Sequence, residues 1–192
     1  TLEELIAGRE TDRAIIIETD TETDIGRSSG RTADRVKGIF TGREPTDCHV
    51  RDIMCGLCDI VGALHRRKPP IIHRDIKPSN IILTEDGRVF LLDVDAAKMY
   101  SPDKNRDTVL MGTREFAAPE QYGFGSSSAK TDIYALGVLF NVLLTGHFPV
   151  EGTARGRAGE IVSRCIKLDP GDRYGSAAEL KAKIQEFYQS GI

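Results

Sequence analysis

The stretch IIHRDIKPSNIILTEDGRVFLLDVDAAK, residues 71–98, decides how the rest of the chain is read. Within it, Ile81 to Leu83 and Arg88 to Leu92 are short apolar runs flanking Thr84-Glu85-Asp86-Gly87, a pattern that predicts a small β-hairpin. The charged residues His73, Arg74, Asp75 and Lys77 precede the hairpin and so lie on a loop leading into it. Asp93 follows the second strand, where a carboxylate can face that loop.

Upstream, Val50, Ile53, Met54, Leu57, Ile60, Val61 and Leu64 recur at helical spacing from Asp47 to about Arg66, giving one apolar stripe on a long helix that Pro69 and Pro70 end. Downstream, a polar stretch runs from Lys98 to Arg114. A second strong helix is predicted over Thr131–Thr145, with Ile133, Leu136, Phe140 and Leu143 inward and Gly146 as its stop. A shorter helix is predicted over Ile161–Leu168. Ser176 with Glu179 forms a capping box ahead of Leu180, Ile184 and Phe187. The fold class that follows is mainly α with a small β-hairpin.

Residues 1–46 read differently, as a polar N-terminal segment before a domain spanning 47–192. The stretch TDTETDIGRSSGR within it has the composition of an exposed loop. Ala14–Ile17 is a candidate edge strand, and Thr32–Phe40 a candidate short helix with Val36, Ile39 and Phe40 on one side. LEELIAGRETD and VKGIFTGREPTD resemble each other around the Gly-Arg-Glu at Gly8 and Gly42; chance suffices to explain one such match.

A length of 192 residues suits a single domain. The formal charge of −3 carries no basic excess, which argues against nucleic acid and anionic lipid as partners. The apolar runs are too short to span a bilayer and no secretory signal opens the chain, so a cytoplasmic protein is expected. Cys55 and Cys58 form a C-x-x-C without a second ligand pair, and they fall within the first helix; reduced, partly packed thiols are expected rather than a zinc site.

Phosphoryl transfer to a hydroxyl needs a carboxylate to orient the hydroxyl and accept its proton, a cation over the phosphates, and ligands for the metal ions. The 71–98 stretch holds each group type. Asp75 is the candidate base, Lys77 the cation near the γ-phosphate of ATP, and Asn80 with Asp93 the oxygen ligands for Mg²⁺.

These residues resemble the C-terminal lobe of a Ser/Thr protein kinase of the bacterial type. His73-Arg74-Asp75-x-Lys77-x-x-Asn80 is similar to the family's catalytic loop, and Lys two places after Asp is the Ser/Thr form. Gly112-Thr113 and Ala118-Pro119-Glu120 resemble the end of the activation segment. Asp132 resembles the buried helix residue that holds the catalytic loop's backbone, and Arg173 the partner of Glu120 in a buried structural ion pair. The resemblance implies a packed, structural His73 and an Arg74 that receives a phosphorylated activation-segment residue. Thr108 is the candidate acceptor, with Ser101 second; the alternative is that Thr108 is an ordinary exposed threonine. His49, His65 and His147 form no cluster and receive no role.

The chain departs from the family pattern at three places. No glycine-rich loop or V-A-I-K-like strand precedes the catalytic loop, so the N-terminal β-lobe is expected to be absent. Homology starts either at TLEELIAG, making residues 11–46 an insertion, or at RTADRVKGIFTG. Where the family has Asp-Phe-Gly, this chain has Asp93-Val94-Asp95, which puts a Cβ and a charge at the glycine position; Asp95 either joins the metal shell or faces water. The stretch from Gly146 to Ile161 is short, so the helix that often docks protein substrates is expected to be trimmed or lost.

The expected function is ATP-dependent phosphoryl transfer to protein Ser or Thr by the complete protein, with the isolated chain inactive and weak in ATP and Mg²⁺ binding. The alternatives are a pseudokinase or protein-interaction module, and a small-molecule phosphotransferase. Expected partners are a protein substrate or a second copy associating through the face that the N-terminal lobe covers in the family.

Overall fold

The computed structural model describes residues 47–84, 86–100, 113–123 and 125–190. Helix α1, Asp47–His65, buries Val50, Ile53, Met54, Leu57, Val61 and Leu64 along the expected stripe. Its hydrogen bonding tapers ahead of Pro69, with Arg66 N–H on Gly62 O and Arg67 N–H on Leu64 O, each at 3.1 Å. Strand β1, Ile71–Ile72, follows, and then a 3-10 turn over Pro78–Asn80.

Strands β2, Ile81–Leu83, and β3, Val89–Leu91, form the expected antiparallel hairpin in the register Ile81↔Leu91 and Leu83↔Val89. Its turn needs Gly87, whose φ of 81° lies in the left-handed region. A second ladder was not legible in the sequence: β4, Lys98–Met99, pairs antiparallel with β1, setting Ile71 opposite Met99 and Ile72 opposite Lys98. Two-residue strands are too short to show alternation, so the segment from Lys98 onward reads as merely polar. The described strands thus make two two-stranded antiparallel sheets beside a mostly helical body.

Helix α2, Ala129–Thr145, starts two residues before the expected Thr131 because Ser128 caps it. Ser128 Oγ accepts the Lys130 N–H at 3.2 Å, and Thr131 Oγ1 accepts the Ser128 N–H at 3.0 Å. Gly146 ends it with φ 71°. Helix α3 spans Gly156–Cys165 rather than 161–168. Its first turn, Gly-Arg-Ala-Gly, carries no large apolar residue, so the helical pattern becomes visible only at Ile161. Residues 146–155 contain no helix; they are held by Asn141, whose Nδ2 donates to His147 O and Gly152 O at 2.8 Å and whose Oδ1 accepts the Ala154 N–H.

Helix α4 covers Ala177–Gln189. Ser176 Oγ accepts the Glu179 N–H at 3.1 Å, but the Glu179 carboxylate takes the Gly175 N–H at 2.6 Å, so the reciprocal half of the capping box reaches one residue further back.

The core of the described residues lies among α1 to α4, with α2 at its centre; from Thr131 to Leu143 only Tyr134 is not buried. Ile53, Leu57, Leu136, Leu139, Phe140, Val162, Leu180 and Ile184 are inaccessible to solvent. Burying one such aliphatic or aromatic side chain contributes roughly 1.5–3 kcal/mol. Helices α2 and α3 approach closely at Gly137, where an added Cβ would lie 2.1 Å from Cys165 Cβ. The candidate strand Ala14–Ile17, the candidate helix Thr32–Phe40, and Ser101 and Thr108 lie outside the described residues.

Cys58 and Cys165 are buried and Cys55 half-buried, all three as free thiols. Among the described residues, no group of three or more His, Cys, Asp or Glu converges to hold a metal ion, and no helix is long and apolar enough to cross a membrane.

Candidate functional site

The loop from His73 to Asn80 is fixed from both sides. On one side stands Asp132, fully buried in the first turn of α2. Its Oδ2 accepts the His73 N–H at 2.9 Å and its Oδ1 the Arg74 N–H at 2.8 Å. Arg74 has φ 73°, a left-handed conformation that a non-glycine residue keeps only when its surroundings hold it there. They do: the Arg74 carbonyl also accepts Gln121 Nε2 at 2.8 Å, while Gln121 Oε1 accepts the Ala118 N–H at 3.0 Å.

The next residue, Asp75, is 8% exposed. Its Oδ1 accepts both the N–H and the hydroxyl of Thr113, at 2.9 and 3.0 Å. Its Oδ2 lies 2.9 Å from Lys77 Nζ and accepts Asn80 Nδ2 at 3.2 Å. Lys77 Nζ also donates to Thr113 Oγ1 at 2.8 Å, and Asn80 Nδ2 to the Asp75 carbonyl at 2.9 Å. Burial pushes the Asp75 carboxyl up, but the hydrogen bonds from Lys77 and Thr113 outweigh it and hold the group below the ordinary aspartate range. An ionised carboxylate at this point can orient a hydroxyl and take its proton, and Lys77 places a cation beside it.

On the other side is the hairpin. His73 is 1% exposed, and its Nε2 lies 3.1 Å from the Leu92 carbonyl, which makes Nε2 the donor. Leu92 N–H in turn donates to Asn80 O at 2.7 Å, so the chain delivers Asp93 beside Asn80. Asp93 is exposed with φ 59°, and its Oδ1 accepts the Asp95 N–H at 3.2 Å. Asp95 stands where glycine permits unusual backbone angles in the family; within Asp93-Val94-Asp95 the positive φ falls on Asp93. Aspartate tolerates that region better than most residues.

Asn80 and Asp93 are hard oxygen donors, and Mg²⁺ takes one or two such protein ligands when phosphates and water complete its shell. Asn80 commits its Nδ2 to Asp75, which leaves Oδ1 as the oxygen for a cation. The donor chemistry therefore fits a phosphate-bound Mg²⁺.

Glu120 and Arg173 meet as a bidentate pair, Nη1 to Oε1 at 2.8 Å and Nη2 to Oε2 at 2.9 Å, with the Arg173 side chain fully buried. Arg173 further donates to the carbonyls of Lys167, Lys130 and Leu168. This pair ties the turn after Thr113 to the segment before α4. Two residues at the site had no role in the sequence reading. Gln121 follows the Ala-Pro-Glu signature and carries no pattern of its own. His65 Nε2 lies 2.7 Å from Asp132 Oδ2, a contact between residues 67 positions apart.

The loop presents a hydrogen-bonded carboxylate, a neighbouring ammonium and two oxygen donors, held by a buried aspartate, which are the group types that phosphoryl transfer requires. The family model described as protein kinase domain matches residues 28–189, and the chain belongs to that family. Within it the chain is of the bacterial Ser/Thr type. It is 30% identical over 160 residues to serine/threonine-protein kinase PknL of Mycobacterium tuberculosis, covering 71% of this chain and 39% of that protein. It is 31% identical over 159 residues to serine/threonine-protein kinase C of Synechocystis sp., covering 71% and 29%. A probable serine/threonine-protein kinase PknB of Corynebacterium glutamicum is 26% identical over 185 residues, covering 81% and 28%. The chain thus aligns with about two fifths or less of the length of these relatives. ATP and a divalent metal ion are used generally in this family.

Proposed function

We propose that residues 47–192 form the C-terminal lobe of a Ser/Thr protein kinase whose complete protein transfers the γ-phosphoryl group of ATP to Ser or Thr of a protein substrate. The observation that carries this reading is the Asp75 carboxylate, kept ionised by Lys77 and Thr113 with Asn80 locked to the same group. In this reading Asp75 orients the substrate hydroxyl and accepts its proton, and Lys77 stands by the transferred phosphate. Asn80 and Asp93 would hold Mg²⁺, which supplies charge neutralisation across the phosphates when bound. Arg74 receives a phosphate placed on Thr108 or Ser101, and residues 1–46 precede the lobe. The protein works in the cytoplasm.

The chain by itself binds nucleotide weakly, because this lobe covers the ligand from one side only. Its affinity for Mg²⁺ and ATP is expected to be millimolar or weaker, about −4 kcal/mol or less favourable. A calorimetric titration of the chain and of Asp93→Asn tests this; saturable low-micromolar binding, lost in the variant, would show that one lobe suffices. In the complete protein, phosphoryl transfer that survives Asp75→Asn would overturn the assignment of the base.

A second reading, an interaction module on a kinase scaffold, draws on exposed apolar side chains near the 71–98 stretch. Leu92, Met99 and Tyr100 are 39%, 64% and 38% exposed. Such exposed apolar side chains favour association with a second copy or another protein. Native mass spectrometry showing monomer alone at high concentration would count against self-association.

A further inference from the structure

Tyr122 closes a circuit of contacts that runs through Asp75. Its hydroxyl donates to the Arg114 carbonyl at 2.8 Å. Arg114 follows Thr113, whose N–H and hydroxyl both rest on Asp75 Oδ1, at 2.9 and 3.0 Å. On the other arm, Gln121 Nε2 donates at 2.8 Å to the carbonyl of Arg74, the residue before Asp75. Gln121 and Tyr122 are consecutive residues of the 3-10 helix Pro119–Tyr122. One short helix therefore grips both chains that meet at the carboxylate, through Gln121 on the Arg74 side and through Tyr122 on the Thr113 side.

The links of this circuit differ in their protection from water. The Gln121 bond is buried and the Thr113 bonds are half-buried, whereas the Tyr122 bond is exposed. The turn beyond Thr113 also has supports of its own. Thr113 O accepts the N–H groups of Phe116 and Ala117 at 2.9 Å each, and the Phe116 ring meets Phe148 edge-on with centroids 5.3 Å apart. Removing the Tyr122 hydroxyl leaves those supports in place, so the fold persists while the Arg114 carbonyl is freed to turn. Arg114 is joined directly to Thr113, and a swing there shifts the N–H and hydroxyl that hold Oδ1. Displacements of about 1 Å at a reacting group can lower rates by about a hundredfold.

We propose that Tyr122 is a positioning residue: its hydroxyl holds the Arg114 carbonyl, keeps Thr113 seated on the Asp75 carboxylate, and so sets the direction in which that carboxylate faces a substrate hydroxyl. The link to phosphoryl transfer rests on the kinase reading above; the link to the seating of Thr113 does not. A tyrosine that only steadied the 3-10 helix would act elsewhere, on the Gln121 N–H that bonds Ala118 O at 2.9 Å.

The test compares Tyr122→Phe, which keeps the ring and removes the hydroxyl, with 4-aminophenylalanine placed at the same position, whose aromatic amine restores a donor. Amide hydrogen exchange is read at Thr113 and Phe116, at Gln121, and at Leu139 in the α2 core. Turnover and KM for ATP are read in the complete kinase. Tyr122→Phe is expected to speed exchange at Thr113 and Phe116 by about fivefold, within the roughly two- to tenfold that one neutral hydrogen bond supports, while Gln121 and Leu139 stay as in the parent. Turnover is expected to fall by about three- to tenfold with KM for ATP little changed. The aromatic amine should restore most of both. Unchanged exchange at Thr113 in Tyr122→Phe would overturn the proposal, as would equal loosening at Gln121, unchanged turnover beside a loosened Thr113, or equal effects of the phenyl and amine side chains. Because exchange needs no catalysis, a loosened Thr113 in a protein whose parent form transfers no phosphate supports the seating of Thr113 by Tyr122 and discards the kinase reading alone.

Discussion

Lys77 holds its ammonium 2.9 Å from Asp75 Oδ2, and both groups hydrogen-bond the same Thr113 hydroxyl. Thr113→Val keeps the shape of that side chain and removes the hydroxyl. One of the bonds favouring the ionised carboxylate is lost while its burial remains, so the Asp75 pKa is expected to rise. Carboxyl-resolved NMR titration of the two proteins measures this; an Asp75 midpoint unmoved in Thr113→Val would show that the Thr113 hydroxyl does not tune it.

The depressed Asp75 pKa also links folding to pH. A carboxyl whose folded pKa lies below its unfolded value of about 3.9 adds stability that is fully present above that value and is lost as pH falls through the folded pKa. Denaturant midpoints measured downward from about pH 6 should therefore fall in the parent protein, and Asp75→Asn should lack that part of the slope. Parallel curves would mean that Asp75 titrates alike in both states.

The Glu120–Arg173 pair is buried and bidentate, so removing one partner strands the other charge. Arg173→Met is expected to destabilise by about 3–5 kcal/mol, read from denaturant unfolding. The double variant Glu120→Gln with Arg173→Met should cost less than the sum of the singles, because the stranded carboxylate is gone. Strict additivity would show that the two side chains do not couple.

Gly137 faces Cys165 at a distance that leaves no room for a methyl group. Gly137→Ala is expected to push α2 and α3 apart, at about 1–3 kcal/mol, despite the higher helix propensity of alanine. Combining it with Cys165→Gly should recover part of the loss by opening the contact. No loss in the single variant would mean that the helices can separate freely.

Burial pushes the thiols of Cys58 and Cys165 up, and both side chains are closed to solvent. Alkylation at neutral pH, followed by peptide mass spectrometry, should leave both unmodified in the folded protein and label both in denaturant. Cys55, half-buried and also shifted up, should react between these limits.

Helices with strong periodicity were legible because one face of α1 and nearly every face of α2 are apolar, and the hairpin because Gly87 punctuates two apolar runs. The loop residues were legible because Asp75, Lys77, Asn80 and Asp93 fall at a spacing that phosphoryl transfer makes meaningful. What escaped depends on distant partners. The β1–β4 ladder joins residues far apart in the chain through strands of two residues each. His65 looks like any helix-end histidine until α2 brings Asp132 to it. The sequence reading put a Cβ and a charge at the glycine position, Asp95, but it did not foresee that the positive φ lies two residues earlier, at Asp93, whose Oδ1 accepts the Asp95 N–H.

The β1–β4 ladder has a mechanical consequence. Ile71 and Ile72 enter the charged loop, while Lys98 and Met99 leave the Asp93 turn, and Tyr100 N–H adds a further rung on Pro70 O at 2.8 Å. Tension applied to the chain beyond residue 100 therefore meets this clasp before it reaches Asp93, and passes into the strand just ahead of His73. The clasp acts as a strain relief, shielding the Asp93 turn while coupling the outgoing chain to the root of the loop that carries Asp75.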